Sequence, residues 1–266
     1  MLGHKGRTRM PRARSGVASG LLVLVSLSNA YALDARRVDA IANAAAAFVA
    51  LAPNSATTGK PPRQSDPAAK PLLDLVFDTT EVTRHRIPWD QLLTLNKWNL
   101  AVIDVGLVYM LAGTGARNLD ELNSKPAADA IVDRNTVTFA PELGRYFDAQ
   151  LRIQGAIMDT VQEFLRTAQS AQLESPQFKS AVAQIRSGVA QTLTGMFGTF
   201  SIEGVTDDWR RGRLTVANAS APKVAKFLVR EQKVSVRAAV LQVADKMSDV
   251  SVKSGLLAFA KTLDAR

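Results

Sequence analysis

The stretch PELGRYFDAQLRIQGAIMDTVQEFLRTAQSA, residues 141–171, decides the fold class of this chain. Its apolar side chains recur every three or four residues, so at 100° per residue they gather on one face of a helix. Charged side chains occupy the opposite face, where Asp148 and Arg152 stand four residues apart and can stabilise a helix as an ion pair. The pattern predicts a long amphipathic helix that buries one face in a core.

The same periodicity continues on both sides of this stretch. Residues 176–196 repeat the apolar stripe, and Ser175 followed by Pro176 is typical of a helix N-terminus. Pro222 also stands where a periodic segment begins, and strand-like patterns are confined to short stretches such as residues 136–139. The chain is therefore predicted to be all-α, with a bundle of about seven or eight amphipathic helices over residues 72–266. Besides the two stretches above, we expect helices at residues 89–112, 208–217, 222–232, 236–247 and 250–263.

The part of the chain before this bundle divides into a helix and a linker. Residues 33–52 carry a weak, alanine-rich apolar face and predict an N-terminal helix. Residues 53–71 hold five of the eleven prolines among Ser, Thr, Gly and Lys, and they show no apolar periodicity. We therefore expect the first helix to dock loosely on the bundle or to form a detachable arm.

Residues 1–32 have the three parts of an export signal. Five basic residues and no acidic one precede an uncharged apolar run at residues 17–27, which the small-residue site Ala30-Tyr31-Ala32 follows. Because this run is too short to span a bilayer as a helix, we expect cleavage before Leu33 and release, most simply into a bacterial periplasm. A mitochondrial transit peptide is the alternative, although such a peptide is amphipathic rather than uniformly apolar.

Composition excludes several function classes. The chain has no cysteine, which removes disulfides, thiol nucleophiles and cysteine-ligated metal sites. Of its two histidines only His85 lies outside the signal, so neither a histidine zinc site nor a serine–histidine triad is expected, and His85 is interpreted as a surface residue. The signal contributes +5 to the formal net charge of +9, and the remaining excess of positive charge is too small for a dedicated nucleic-acid binder. We expect no metal, no cofactor, no nucleic-acid partner and no transmembrane segment in the mature chain.

A basic segment between residues 206 and 237 is the most distinctive remaining feature. It holds eight Lys and Arg residues against three acids, and five of the eight step by three and four residues. On one continuous helix these five would form a stripe about 80° wide, whereas a helix break near Ser235 would scatter them. Such a stripe fits an anionic lipid, lipopolysaccharide, peptidoglycan or an acidic protein surface. The candidate binding residues are Arg210, Arg211, Arg213, Lys223, Lys226, Arg230, Lys233 and Arg237.

Three function classes remain open. The first is a binding module at the cell envelope that acts through the basic segment, with no catalytic residue. The second is a carboxylate-dependent enzyme acting on envelope glycans, and the third is a structural bundle that oligomerises through its helical faces. The second class would draw on Asp104, Glu142, Glu174 or Glu203, which are candidates by residue type alone.

Two further features predict local structure. Gln150 and Gln154 fall inside the apolar face of the 141–171 helix, where a buried amide must find hydrogen-bond partners, so we expect them to bond facing helices or to line a small polar pocket. Gly113 and Gly115 follow an apolar helix and lack the third glycine of a dinucleotide-binding loop. We interpret them as left-handed residues that end the helix.

Overall fold

The fold is an all-α bundle, as predicted. A computed structural model describes residues 33–125 and 128–264, and within these ranges it contains no strand. The predicted export signal lies outside the described residues. Short helices of four to seven residues make the number of helices slightly higher than the predicted seven or eight of the bundle. The helices are α1 (Ala35–Leu51), α2 (Ser55–Thr58), α3 (Lys70–Val76), α4 (Thr80–Arg84), α5 (Leu92–Met110), α6 (Leu119–Asn123), α7 (Asp129–Thr138), α8 (Ala140–Thr167), α9 (Ser170–Glu174), α10 (Pro176–Thr199), α11 (Asp207–Phe227), α12 (Arg230–Ala244) and α13 (Val250–Leu263), with a 3₁₀ turn at Trp89–Gln91 before α5.

Helix α8 lies between α5 and α11 and organises the packing. It corresponds to the first part of the 141–171 stretch, and its apolar face is buried along most of its 28 residues. On one side α5 also packs against α1, while on the other α11 packs against α13, which continues the bundle through α12 to α10. One hydrophobic core therefore runs from the N-terminal helix to the last helix.

Local sequence signals mark several helix ends correctly. Ser175 caps α10, since its hydroxyl accepts a hydrogen bond from the backbone N–H of Phe178 at 3.2 Å, and Pro176 occupies the first helical position. Gly113 and Gly115, after the end of α5, have φ angles of 72° and 69°. These left-handed conformations are the ones predicted for them.

The prediction that Pro222 begins a helix is wrong. Pro222 lies inside α11, which runs without interruption from Asp207 to Phe227. A proline in a helix interior removes one backbone hydrogen bond. Burial of apolar side chains such as Leu214 and Val224 on both sides of it keeps the helix continuous.

The strand-like pattern at residues 136–139 is also overridden. Residues 129–138 form α7, and the hydroxyl of Thr136 donates to the carbonyl oxygen of Val132, one helical turn earlier, at 3.0 Å. Thr136 and Asn135 are both buried, and the Asn135 amide donates to the carbonyl oxygens of Met110 and Ala112 at the end of α5. These tertiary contacts outweigh the weak preference of β-branched residues for strands.

The N-terminal helix is part of the core and not a loosely docked arm. The side chains of Val38, Ile41 and Phe48 have no exposed surface, and α1 packs against α3 and α5. The sequence pattern understates this burial because alanine fills much of the helix and contributes little hydrophobicity per residue.

Residues 53–71 are likewise fastened to the bundle. They contain α2 and the start of α3, and the backbone N–H of Gly113 donates to the carbonyl oxygen of Ser55 at 2.9 Å. Further along, the hydroxyl of Tyr109 on α5 donates to the carbonyl oxygen of Pro62 at 2.8 Å. The prolines of this segment lie in turns that are held against α5 and α8. A free linker can have the same composition, so composition alone does not distinguish the two.

Candidate functional site

The basic segment does not form one continuous helical stripe. Helix α11 ends at Phe227, Leu228 and Val229 adopt extended backbone angles, and α12 begins at Arg230. Lys223 and Lys226 therefore lie on one helix, and the other three members of the predicted stripe lie on the next. The break comes six residues before Ser235, where the sequence allowed for one.

Five of the eight candidate binding residues are engaged in ion pairs within the chain. Arg210 and Arg213 are the most enclosed of them. The guanidinium of Arg213 donates to both carboxylate oxygens of Asp148 at 2.6 Å and lies 5.4 Å from the Trp209 ring. Charges neutralised in this way contribute little to recognition of an external anion. The pairs are Arg210–Asp207, Arg211–Asp208 together with Asp249, Arg213–Asp148, Lys223–Asp159 and Arg237–Asp264.

The other three candidates remain accessible. Lys226, Arg230 and Lys233 have no ion-pair partner in the part of the chain that the structure describes, and they surround the turn between α11 and α12. Val229 in this turn is 40% exposed and Val234 is 60% exposed. We refer to these three cations as the α11–α12 cationic end.

A cavity of about 450 Å³ lies between the end of α4, the middle of α8 and the second half of α11. Residues 82–86 form one wall, Arg152 to Asp159 of α8 contribute a second, and Thr215 to Lys223 of α11 contribute the third. We call it the basic groove.

The wall from α4 is held in place by a hydrogen bond from a side chain of α8. After α4 ends, His85 adopts an extended conformation that turns the chain along α8. The buried hydroxyl of Thr160 then donates to the carbonyl oxygen of Ile87 at 2.9 Å, which anchors this segment to α8. His85 is half-buried in the groove wall, whereas Arg84 and Arg86 on either side of it are exposed.

Small residues form the floor of the basic groove. Gly155 and Ala156 of α8 are buried there and face Ser220 of α11, which is 9% exposed. A methyl group at Gly155 would lie 3.9 Å from Nζ of Lys223 and 4.0 Å from Oγ of Ser220. A hydroxyl and an ammonium group therefore stand directly over the glycine.

The electrostatics of the basic groove are strongly asymmetric. Arg84, Arg86 and Arg152 have no salt-bridge partner among the described residues, and Lys223 pairs with Asp159 at 2.6 Å. Four cationic side chains thus face a single carboxylate. Like charges gathered around a concave surface raise the local concentration of anions.

The four candidate carboxylates do not converge on a site. Asp104 lies on the surface of α5, where loss of hydration raises the pKa of its carboxyl. Glu174 at the end of α9 pairs with Lys179, and Glu203 is exposed in the turn between α10 and α11. None of the four lines the basic groove.

Glu142 is buried for a structural reason. Its side chain is 1% exposed in the first turn of α8, and one carboxylate oxygen, Oε1, accepts from Nε of Arg63 at 3.0 Å and from the backbone N–H of Gln64 at 3.1 Å. The second oxygen is buried without a hydrogen-bond partner. This carboxylate holds the proline-rich segment against the N-terminus of α8, where negative charge is favoured.

The two buried glutamines bond to facing helices, as expected. The side-chain nitrogen of Gln150 donates to Asn99 of α5 at 3.4 Å, and that of Gln154 donates to Thr192 of α10 at 2.7 Å. Each amide oxygen is left without a partner. The pair fixes how α8 sits against its neighbours on two sides.

No group of three or more His, Cys, Asp or Glu side chains that could hold a metal ion occurs within residues 33–125 and 128–264. In the same ranges no helix has the length and apolar character needed to cross a membrane. Comparison with protein-family models, with curated proteins and with solved structures finds no match to this chain.

Proposed function

We propose that this protein is an exported binding protein that takes up an anionic ligand in the basic groove. The observation that carries the proposal is that Arg84, Arg86 and Arg152 line one cavity and that none of them forms a salt bridge within the described residues. Asp148 attracts Arg152 and Glu163 attracts Arg86 without an ion pair, so the groove keeps an excess of positive charge that a bound anion would neutralise. Guanidinium groups also match phosphate and carboxylate oxygens in geometry.

The basic groove replaces the basic stripe predicted from the sequence as the binding surface, and the expected ligand is still an anion. Lys223 is the one residue shared by the predicted basic stripe and the groove. Export rests on the pattern of residues 1–32 and predicts that the purified protein begins at Leu33.

The test compares two triple variants with the same change in charge. Arg84→Gln, Arg86→Gln and Arg152→Gln together remove three cations from the groove, and Lys226→Gln, Arg230→Gln and Lys233→Gln remove three from the α11–α12 cationic end. Pyrophosphate binding is measured by calorimetry at low and high salt. We expect the groove variant to lose at least about tenfold in affinity and the control variant to keep it, with binding to the wild type weakened by salt.

The opposite pattern would identify another surface. If only the variant of the α11–α12 cationic end loses binding, and it also loses sedimentation with anionic vesicles, the exposed valines and cations there are the contact surface and the groove proposal fails. If both variants bind pyrophosphate like the wild type, neither basic surface is an anion site.

A structural bundle is a second candidate that the exposed leucines on α5 favour. Leu93 is 54% exposed and Leu100 is 41% exposed, and they lie seven residues apart on the same helical face. Self-association through this face would make the melting temperature rise with protein concentration, whereas a monomeric binding protein melts independently of it.

A further inference from the structure

The basic groove runs lengthwise along α8. Arg152, Gly155, Ala156 and Asp159 line it from that helix, and their spacing of three and four residues places them on one face. At about 1.5 Å per residue, the step from Arg152 to Asp159 separates the two ends of the groove by about 10 Å along the helix axis. Arg152 and Asp159 are exposed, whereas the two small residues between them are buried. The groove is therefore elongated, with small residues at its centre.

Cations stand at both ends of this groove. Arg152 marks the first end. At the second end Lys223 of α11 pairs with Asp159 at 2.6 Å. Arg86 stands there too, since the backbone carbonyl of the residue that follows it accepts from the hydroxyl of Thr160 at 2.9 Å. An anionic group at either end would thus meet an arginine that forms no salt bridge with the described residues.

Neighbouring carboxylates draw these two arginines apart. Arg152 is attracted by Asp148, which lies one turn before the first end, and Arg86 is attracted by Glu163, one turn beyond the second end. Both carboxylates are already paired with another arginine at 2.6 Å. The attraction therefore orients the two guanidinium groups toward opposite ends of the groove without neutralising either of them.

Between its ends the groove offers hydrogen-bonding groups. A methyl group at Gly155 would lie 4.0 Å from Oγ of Ser220 and 3.9 Å from Nζ of Lys223. The hydroxyl of Ser220 forms no hydrogen bond with another described residue, and the carboxylate of Asp159 lies beside the ammonium group of Lys223. Donors and an acceptor thus occur together, which matches hydroxyl groups because each hydroxyl both donates and accepts.

Resting on the proposed function, we propose that the ligand of the basic groove is a two-ended anion: a small molecule with a phosphate or carboxylate group at each end of a hydroxylated spacer. Arg152 binds one end, and Arg86 with Lys223 binds the other. Ser220 donates to the spacer where Gly155 leaves room for it. Binding of the first anionic group holds the second close to its own arginine, so the two ends together bind far more tightly than either alone.

Three probes separate the length of the ligand from its charge. Fructose 1,6-bisphosphate carries two phosphates on a hydroxylated spacer, pyrophosphate has a similar charge in a compact ion, and fructose 6-phosphate keeps the sugar with one phosphate. Each is titrated into the protein by calorimetry at the same salt concentration. We expect the bisphosphate to bind at least about tenfold more tightly than either of the other two probes.

Variants of the two ends test whether one ligand bridges them. Arg86→Gln and Arg152→Gln should each weaken binding of fructose 1,6-bisphosphate at least about tenfold, because each leaves one phosphate without its arginine. Fructose 6-phosphate can still bind at the intact end, so it should lose at most about twofold in either variant. Arg230→Gln removes an exposed arginine of α12 outside the groove and is the matched control, which should change neither affinity.

The spacer is tested by Ser220→Ala. We expect this variant to weaken fructose 1,6-bisphosphate by about two- to tenfold through the loss of one hydrogen bond. An unchanged affinity would overturn the hydroxylated spacer.

The remaining failures are distinguishable. If pyrophosphate or fructose 6-phosphate binds as tightly as the bisphosphate, or if only one of the two arginine variants loses affinity for it, the two-ended ligand is overturned and the anion site still stands. If none of the three probes binds, the proposed function is overturned as well.

Discussion

Glu142 shows how a single buried charge holds a segment that looks like a linker in sequence. Its oxygen Oε1 accepts from Arg63 and from the backbone of Gln64, so two consecutive residues of the proline-rich segment are bound to the first turn of α8. Arg63 also lies 4.9 Å from the ring of Phe139, just before the start of α8. A buried carboxylate with these partners is a structural element, and we do not assign it a catalytic role.

We expect Glu142→Ala to lower the free energy of unfolding by about 2–3 kcal/mol, because it leaves the partly buried backbone N–H of Gln64 without its acceptor and breaks a charge-assisted hydrogen bond with Arg63. Glu142→Gln keeps an acceptor oxygen and should cost less. Urea denaturation provides the measurement. Glu163→Ala, on the same helix but in the exposed pair with Arg166, is the control and should leave stability unchanged. Equal losses in the two alanine variants would contradict this account.

Asp249 predicts a dependence of stability on pH. The backbone N–H of Val252 donates to its carboxylate at 2.7 Å and lowers the pKa of this N-cap residue of α13, and the nearby Arg211 lowers it further. Since the folded-state pKa lies below the ordinary value, the stabilisation is complete above that value and is lost as pH falls through the lowered pKa.

Asp249→Asn keeps a side-chain acceptor at the cap and removes the charge. We therefore expect it to melt at a lower temperature than the wild type at neutral pH, with the difference shrinking as the pH falls from about 5 to about 2. Thermal melts across this range provide the measurement. A difference that stays constant down to the lowest pH would show that the charge contributes nothing.

At the scale of the elements, Pro222 places a defect in α11 next to the basic groove. A proline in a helix interior costs about 3 kcal/mol relative to alanine, because it lacks the N–H that would bond the carbonyl four residues earlier. We expect Pro222→Ala to raise the free energy of unfolding by about 1–3 kcal/mol, less than the full cost where the helix has adapted to the ring. Pro176→Ala makes the same substitution at the first position of α10, where the missing N–H has no partner, and should change stability little.

Urea denaturation of the two proline variants measures the change in the free energy of unfolding at each position. If Pro222→Ala is no more stable than the wild type, the packing around the ring compensates for the lost hydrogen bond. The helix is then fitted to the proline rather than strained by it.

For the whole molecule, the sequence predicts the helices better than it predicts what they enclose. Residues 141–171 specify α8 because period, length and capping agree within one segment. Local sequence patterns cannot predict the basic groove. Its residues Arg84, Arg152 and Lys223 are far apart in the chain and come to line one cavity only when α4, α8 and α11 pack together. The sequence shows Arg84 and Arg86 on either side of His85, but a third arginine joins them only through the packing of α8, which the sequence does not predict.

Burial of α1 contradicts the expectation of a loosely docked or detachable first helix. Val38, Ile41 and Phe48 are fully buried, and covering such side chains contributes about 1.5–3 kcal/mol each, which together is comparable to the total stability of a typical domain. A chain that starts at residue 72 would also expose the apolar face of α5 that α1 covers. We expect this shortened chain to lose its cooperative thermal transition, while a chain that starts at Leu33 keeps it. Retention of a single sharp transition at the same temperature in the shortened chain would show that the first helix is an appendage despite its contacts.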